Sequence, residues 1–196
     1  MDLQKTIKNL ELRGFSVKYF EKASEAAEYL TSEIHDTTVG IGGCMTAQEL
    51  GLFESLSRNN EVYWHWKVPG PETLEKANHA KVYITSANAM TEGGEILNID
   101  GRGNRLAGQV YGNKKLYIVA GTNKICPDFD SALSRAHNVA AVKNGKRFDS
   151  NTPCKIDDQC HDCRSNDRIC RALLVLWAPM MGMEAEVVLI GEELGY

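Results

Sequence analysis

The chain has 196 residues, 43% of them hydrophobic and 24% charged, with a formal net charge of −4. This length suits one substantial α/β core, and the composition excludes a disordered chain. Lys and Arg are scattered without a basic block, which leaves nucleic acid out as a main partner. No run is apolar for long enough to span a bilayer, and MDLQKTIKNLELRGF lacks the apolar core of a signal peptide, so a cytoplasmic setting away from membranes is expected.

Apolar side chains at Leu3, Ile7 and Leu10, followed by Gly14, predict a helix over 3–12. FSVKYF at 15–20 alternates as a strand, and Ser24 is placed to cap a helix running through Ala27, Leu30 and Ile34. A β-branched strand over 37–41 then meets Gly42, Gly43 and Cys44, and the Thr46-x-x-Glu49 spacing of a capping box starts the next helix. EVYWHW at 61–66 reads as a strand, Pro71 as the first turn of a helix through Leu74 and Ala77, and 81–85 as a buried strand.

That last strand opens the most informative stretch, Ile84 to Arg105. Hydroxyl, amide, carboxylate and guanidinium groups are set there among Gly93, Gly94, Gly101 and Gly103, a composition that suits a site on a flexible frame. The plainer alternative is a hairpin turning at Asp100-Gly101. Strands are predicted over 105–110 and 116–120, then a helix over 129–142 capped by Asp128 or Asp130, with Arg135 a surface charge. Residues 144–167 are polar and aperiodic, Trp177 to Met183 reads as a loop or broken helix, and 185–190 is a final buried strand.

Strands alternating with helices predict a mostly parallel sheet with helices on its faces. Ligands of such sheets bind outside the strand carboxyl ends, where three glycine-bearing stretches fall. In the first, Gly42, Gly43 and Thr46 present free N–H groups to an anion, or else make a tight turn with Cys44 packed beneath it. In the second, Asn88, Thr91, Gly94, Asn104 and Arg105 are ligand-binding candidates, and Glu92 is the candidate general acid or base. In the third, Asn123 stands beside Lys124, which is placed to hold an anionic substrate and is the second catalytic candidate. Trp64 and Trp66 share one face of their strand, as core packing or as an aromatic platform.

Cys154-x5-Cys160-x2-Cys163-x6-Cys170 is the most specific pattern in the chain. Four thiolates at this spacing suit a metal centre, an iron–sulfur cluster or zinc, in a reducing compartment; reduced thiols or one redox-active pair are the alternatives. The chain is therefore expected to be one α/β domain over 1–196, with 151–175 a cysteine-rich metal-binding insertion.

Three stretches together resemble the LUD-domain family, named for lactate-utilisation proteins. They are Asn88-Ala89-Met90-Thr91-Glu92-x-Gly94-x-Ile96-x-Asn98-x-Asp100-Gly101-x-Gly103-Asn104-Arg105, then Gly121-Thr122-Asn123-Lys124, and Gly191-x-x-Leu194-Gly195-Tyr196. The resemblance implies a NagB/RpiA/CoA-transferase-like fold, a Rossmann-like sheet with helices on both faces whose relatives bind sugar phosphates or CoA esters. It implies an accessory or catalytic component in oxidation of lactate or a related organic acid, with redox partner proteins and a small anionic metabolite as partners. An isomerase, hydrolase or transferase acting on a phosphorylated or CoA-linked metabolite is the alternative enzyme, and a metal- or redox-sensing module the non-catalytic one. The glutamate nucleophile of CoA transferases has no matching motif, so Glu92 does not inherit that role.

Overall fold

A computed structural model describes residues 1–196. In chain order the first half forms α1 (Leu3–Leu12), β1 (Ser16–Phe20), α2 (Ala23–Glu33), β2 (Thr38–Ile41), α3 (Met45–Glu49), α4 (Leu52–Leu56), β3 (Glu61–Tyr63), α5 (Pro71–Asn78) and β4 (Val82–Thr85). There follow β5 (Ala89–Thr91), β6 (Ile96–Asp100), α6 (Asn104–Val110), β7 (Lys115–Gly121), β8 (Ile125–Cys126), α7 (Phe129–Arg135), α8 (Val142–Arg147), α9 (Cys154–Asp157), β9 (Ala172–Leu176) and β10 (Glu184–Ile190). A 3₁₀ turn at Thr122–Lys124 follows β7, and a π-helical stretch at Ala136–Ala141 joins α7 to α8.

Six strands make a wholly parallel sheet in the order β1-β10-β7-β4-β2-β3. Its central strands are covered on both faces, which is why KLYIVAG and EAEVVLI read as nearly unbroken apolar runs. Leu116, Ile118 and Ala120 pack to one side with Leu10 and Ala77 of α1 and α5. Tyr117 and Val119 pack to the other with Leu30, Ala47, Leu52 and Leu56 of α2, α3 and α4. Gly40 allows α5 to lie on β2, since a Cβ there would stand 2.0 Å from the Ala77 carbonyl oxygen. The expected Rossmann-like α/β sheet is therefore present. No helix is long and apolar enough to cross a membrane.

A second sheet, β8-β5-β6-β9, carries most of the departures from expectation. Its hairpin turns between Thr91 and Glu95, with Gly94 at φ 87°, and not at Asp100-Gly101. Asp100 instead accepts the Arg102 and Arg105 N–H groups, both at 3.1 Å, and with Gly103 at φ 88° it starts helix α6. Residues 105–110, expected as a strand, are that helix. Residues 172–175, expected within the cysteine-rich insertion, belong to β9 and pair with β6.

Capping also differs in detail. Cys44, not Thr46, caps α3 through its sulfur, and α2 starts at Ala23 with Glu25 accepting the Lys22 N–H, so Ser24 lies inside the helix. The predicted strand over 61–66 stops at Tyr63, and the helix after Phe129 extends beyond Val142 to Arg147. Asp128 caps α7 by accepting the Ser131 N–H at 2.8 Å, as expected of one of the two aspartates.

Candidate functional site

The strand carboxyl ends gather residues from distant parts of the chain. Gly42 and Gly43 follow β2, His65 and Trp66 follow β3, Ser86 and Asn88 follow β4, and Lys124 follows β7. Above them opens a cleft of about 860 Å³ walled by Trp66, Asn104, Arg102, Arg147, Arg168 and Arg171. A recess of about 30 Å³ shares Gly43, Trp66, Asn88 and Arg105 with the cleft and is lined further by Ser86, Lys124 and Tyr196.

Lys124 is 2% exposed and has no carboxylate partner within ion-pair distance. Its Nζ donates to Ser86 Oγ at 2.8 Å and to Thr46 Oγ1 at 3.3 Å, and those hydroxyls lie 3.2 Å apart. Burial pushes its pKa down to about 8; Arg135 and Arg105 act the same way, while Cys44 and Glu49 oppose them. An ammonium ion thus stands at the inner end of the cleft with one N–H unspent.

Arg105 has a different task. Its guanidinium donates to Asn98 Oδ1 and to the Ile99 carbonyl, both at 2.6 Å, and to Asn88 Oδ1 at 3.1 Å. Those bonds hold β6 and the segment after β4 beneath the cleft floor. Gly42 lies under the same side chain, where a Cβ would stand 3.0 Å from Arg105 Cγ and 2.9 Å from the Tyr83 hydroxyl oxygen.

Among the cleft arginines, Arg102 makes no side-chain hydrogen bond or ion pair, and Arg147 donates only its Nε–H, to Asn144. Arg147 lies over the Trp66 ring, 4.3 Å from its centroid. Trp66 itself stacks on buried Trp64 with ring centroids 5.4 Å apart. The acidic side chains of the cleft are already engaged: Asp100 with backbone N–H groups, Asp149 with Lys155, Asp167 with the Asn151 N–H. Unspent charge in the cleft is therefore positive. His65 adds an unpartnered, buried Nδ1, and desolvation followed by Arg102 lowers its pKa.

The other named candidates lie elsewhere. Thr91 and Gly94 form the β5–β6 hairpin, where the Thr91 hydroxyl pairs with Glu95. Glu92 faces α1, accepting the Asp2 N–H at 2.8 Å and the Lys5 ammonium at 3.1 Å. Asn123 holds the tail by accepting the Leu194 N–H at 3.3 Å. Arg135, expected on the surface, is half-buried and donates to the carbonyls of Asn88, Asn123 and Tyr196.

Lys5 and the Asp2 N–H lower the Glu92 pKa, so its contribution to stability is present above the usual carboxylate range and is lost as pH falls through the lowered value. Glu92→Gln is expected to melt lower than the parent at pH 7 and alongside it near pH 3, with ligand affinity unchanged. Thermal melts at both pH values check this; an equal deficit at both would contradict it.

Cys154, Cys160, Cys163 and Cys170 are all half-buried, unpaired by disulfides, and line one recess with His137. No three His, Cys, Asp or Glu side chains converge closely enough to hold a metal ion, so the tetrahedral closure expected from the spacing is not formed. His65 and Arg147 complete the candidate site without any role expected of them, joined by Ser86 from the polar stretch after β4 and by Trp66, offered by the sequence as core packing or an aromatic platform. Positions directly after a strand were the available signal for Ser86, His65 and Trp66.

Fold and site define the class: a Rossmann-like α/β protein with a cleft at the carboxyl edge of its parallel sheet. The chain belongs to the LUD domain family, which it matches over residues 3–190. It is 37% identical over 78 residues to the Escherichia coli (strain K12) protein named "Uncharacterized protein YkgG", an alignment covering 39% of this chain and 33% of that one. In fold it is similar to a DUF162 family protein from Deinococcus radiodurans, with a TM-score of 0.55, 13% identity and 96% of each chain covered.

Proposed function

We propose that the protein binds a small polyanionic metabolite, of the phosphorylated or CoA-linked class, with its charged groups against Arg102 and Arg147 and its organic-acid end against Lys124. One observation carries this reading: a buried ammonium without a carboxylate partner stands at the inner end of a cleft whose free charges are cationic. Burying a lone charge is costly, and a bound carboxylate or polarised carbonyl would offset that cost. A lysine that exchanges its proton near pH 8 also suits proton transfer beside a carbonyl, the chemistry of an isomerase or transferase. The recess is the size of a carboxylate, which favours a second reading, an accessory or catalytic component in oxidation of lactate or a related organic acid.

Calorimetric titration with coenzyme A, pyrophosphate and lactate tests the reading. Coenzyme A or pyrophosphate is expected to bind, quenching tryptophan fluorescence through Trp66. Arg102→Ala and Arg147→Ala should each weaken that binding roughly tenfold, the scale of one charge-assisted hydrogen bond. Failure of both phosphorylated probes to bind, or unchanged affinity in both variants, would sink it, while binding of lactate alone would support the second reading.

A further inference from the structure

The segment from Thr152 to Arg171 has almost no apolar core and is held by polar contacts such as Lys155 with Asp149, Ser165 with the Asn151 carbonyl and Lys146 with Asp158. Only Thr152 in it is buried, Ile156 is 87% exposed, and its one regular element is the single turn α9. Asp158 and Asp162 within it, and Asp149 just before it, take positive φ, a conformation that L side chains rarely adopt. Fixing such a backbone loses conformational entropy that apolar burial here does not recover.

The four cysteines of the segment face inward together with Thr152, Arg168 and Ile169. All four line one apolar recess of about 20 Å³ with Val142, Thr152 and Ile169. His137 reaches it from the π-helical stretch, with Nδ1 3.8 Å from Cys160 Sγ, and Asn138 of the same stretch accepts the Cys160 N–H. Arg168 donates to the carbonyls of Cys163 and Cys170, both at 2.8 Å, and so draws these two parts of the segment together. Thr152 Oγ1 lies 3.3 Å from Cys154 Sγ, placed to donate to a thiolate there.

We propose that the four thiolates close on one thiophilic metal centre, a zinc ion or an iron–sulfur cluster, which supplies the cross-link that the segment's missing core does not. Each thiol gives its proton to solvent as its sulfur binds the metal. Closure asks the sulfurs to approach one another, and a segment so free of packed side chains opposes that little. The consequence reaches the cleft, because the outer side of the same segment is its wall. Arg168, Ile169 and Arg171 face the cleft, the Arg171 N–H donates to the Asp100 carbonyl at 3.0 Å, and Gly101 lies against the Ile169 backbone.

Anaerobic purification followed by metal and acid-labile sulfide analysis tests this on the unmodified protein. About one zinc per chain, or iron with sulfide and a visible charge-transfer band, supports the centre and identifies it; absence of both metals overturns it. Cys163→Ser is expected to lose the metal and to expose Lys155, Arg164 and Arg168 to trypsin while the parallel sheet stays intact. Cys126→Ala, which alters a thiol outside the recess, should keep both metal and resistance. Full metal content in Cys163→Ser would also overturn the proposal.

Discussion

Lys124→Met is expected to raise the melting temperature while lowering anion affinity in the cleft by tenfold to a hundredfold. The two effects have one origin. The ammonium is buried beside hydroxyls only, so the native fold bears its desolvation. Removing an uncompensated buried charge in favour of an apolar side chain of similar length is worth about 1–4 kcal/mol, and Ser86 and Thr46 can then hydrogen-bond to each other. The lost binding is that of one charge-assisted contact, about 1.5–3 kcal/mol.

pH separates this account from a general packing effect. In the unfolded chain the lysine keeps its proton to about 10.4, whereas in the fold it loses it above about 8. Between those values the unfolded state binds more protons, so stability should rise with pH, and that slope should vanish in the methionine variant. Affinity for a phosphorylated acid whose carboxylate meets Lys124, such as phosphoglycolate, should run the other way, falling as pH rises through about 8. Melts and calorimetric titrations from pH 6 to about 10.5 would check both; a variant that melts lower, or binds as tightly, would count against the site.

Arg105→Ala should be the most damaging single change near the cleft. It leaves the Ile99 carbonyl without its donor in the interior and removes one of two donors from each of the Asn98 and Asn88 amide oxygens, which keep the Asn88 and Ile99 N–H groups. Losing these charge-assisted hydrogen bonds and leaving a buried carbonyl unpaired costs about 3–5 kcal/mol. For a chain of this size that is a fall in melting temperature of roughly 10 °C. Arg105→Lys should recover little, because a single ammonium cannot reproduce the fork that meets three acceptors on two segments. A lysine variant as stable as the parent would show that charge alone, rather than planar geometry, holds the floor.

Those two residues also mark how far the sequence was legible. The parallel sheet was readable because its strands are β-branched and end in glycines or small polar residues, and the same signal placed Gly43, Asn88 and Lys124 at one edge. Arg105 stands out in the sequence, but the apolar pattern around it has the look of a strand where the fold has a helix. Asp100 and Gly103 start that helix through a side-chain bond and a positive φ, and the short apolar pattern of 105–110 does not record either. The small sheet leaves no periodic signal, because β5 and β8 have three and two residues, too few to show one. Glu92 lies between a strand end and two glycines, a place that suggests a site, yet its partners come from α1 and its cap, which nothing local foretells. Trp66 and Arg147 meet only because α8 returns over the end of β3.

The strand order has a further consequence, for biosynthesis. β1 joins the sheet only through β10, its sole neighbour, so a strand made near the start must wait for one ending at Ile190. A nascent chain therefore cannot finish its sheet while residues 184–190 are in the ribosome tunnel, and the flanks of β1 and β7 stay open for that interval. Pairings of such sequence separation are slow to form and prone to misassociation, which makes synthesis the period in which this protein is most exposed to aggregation.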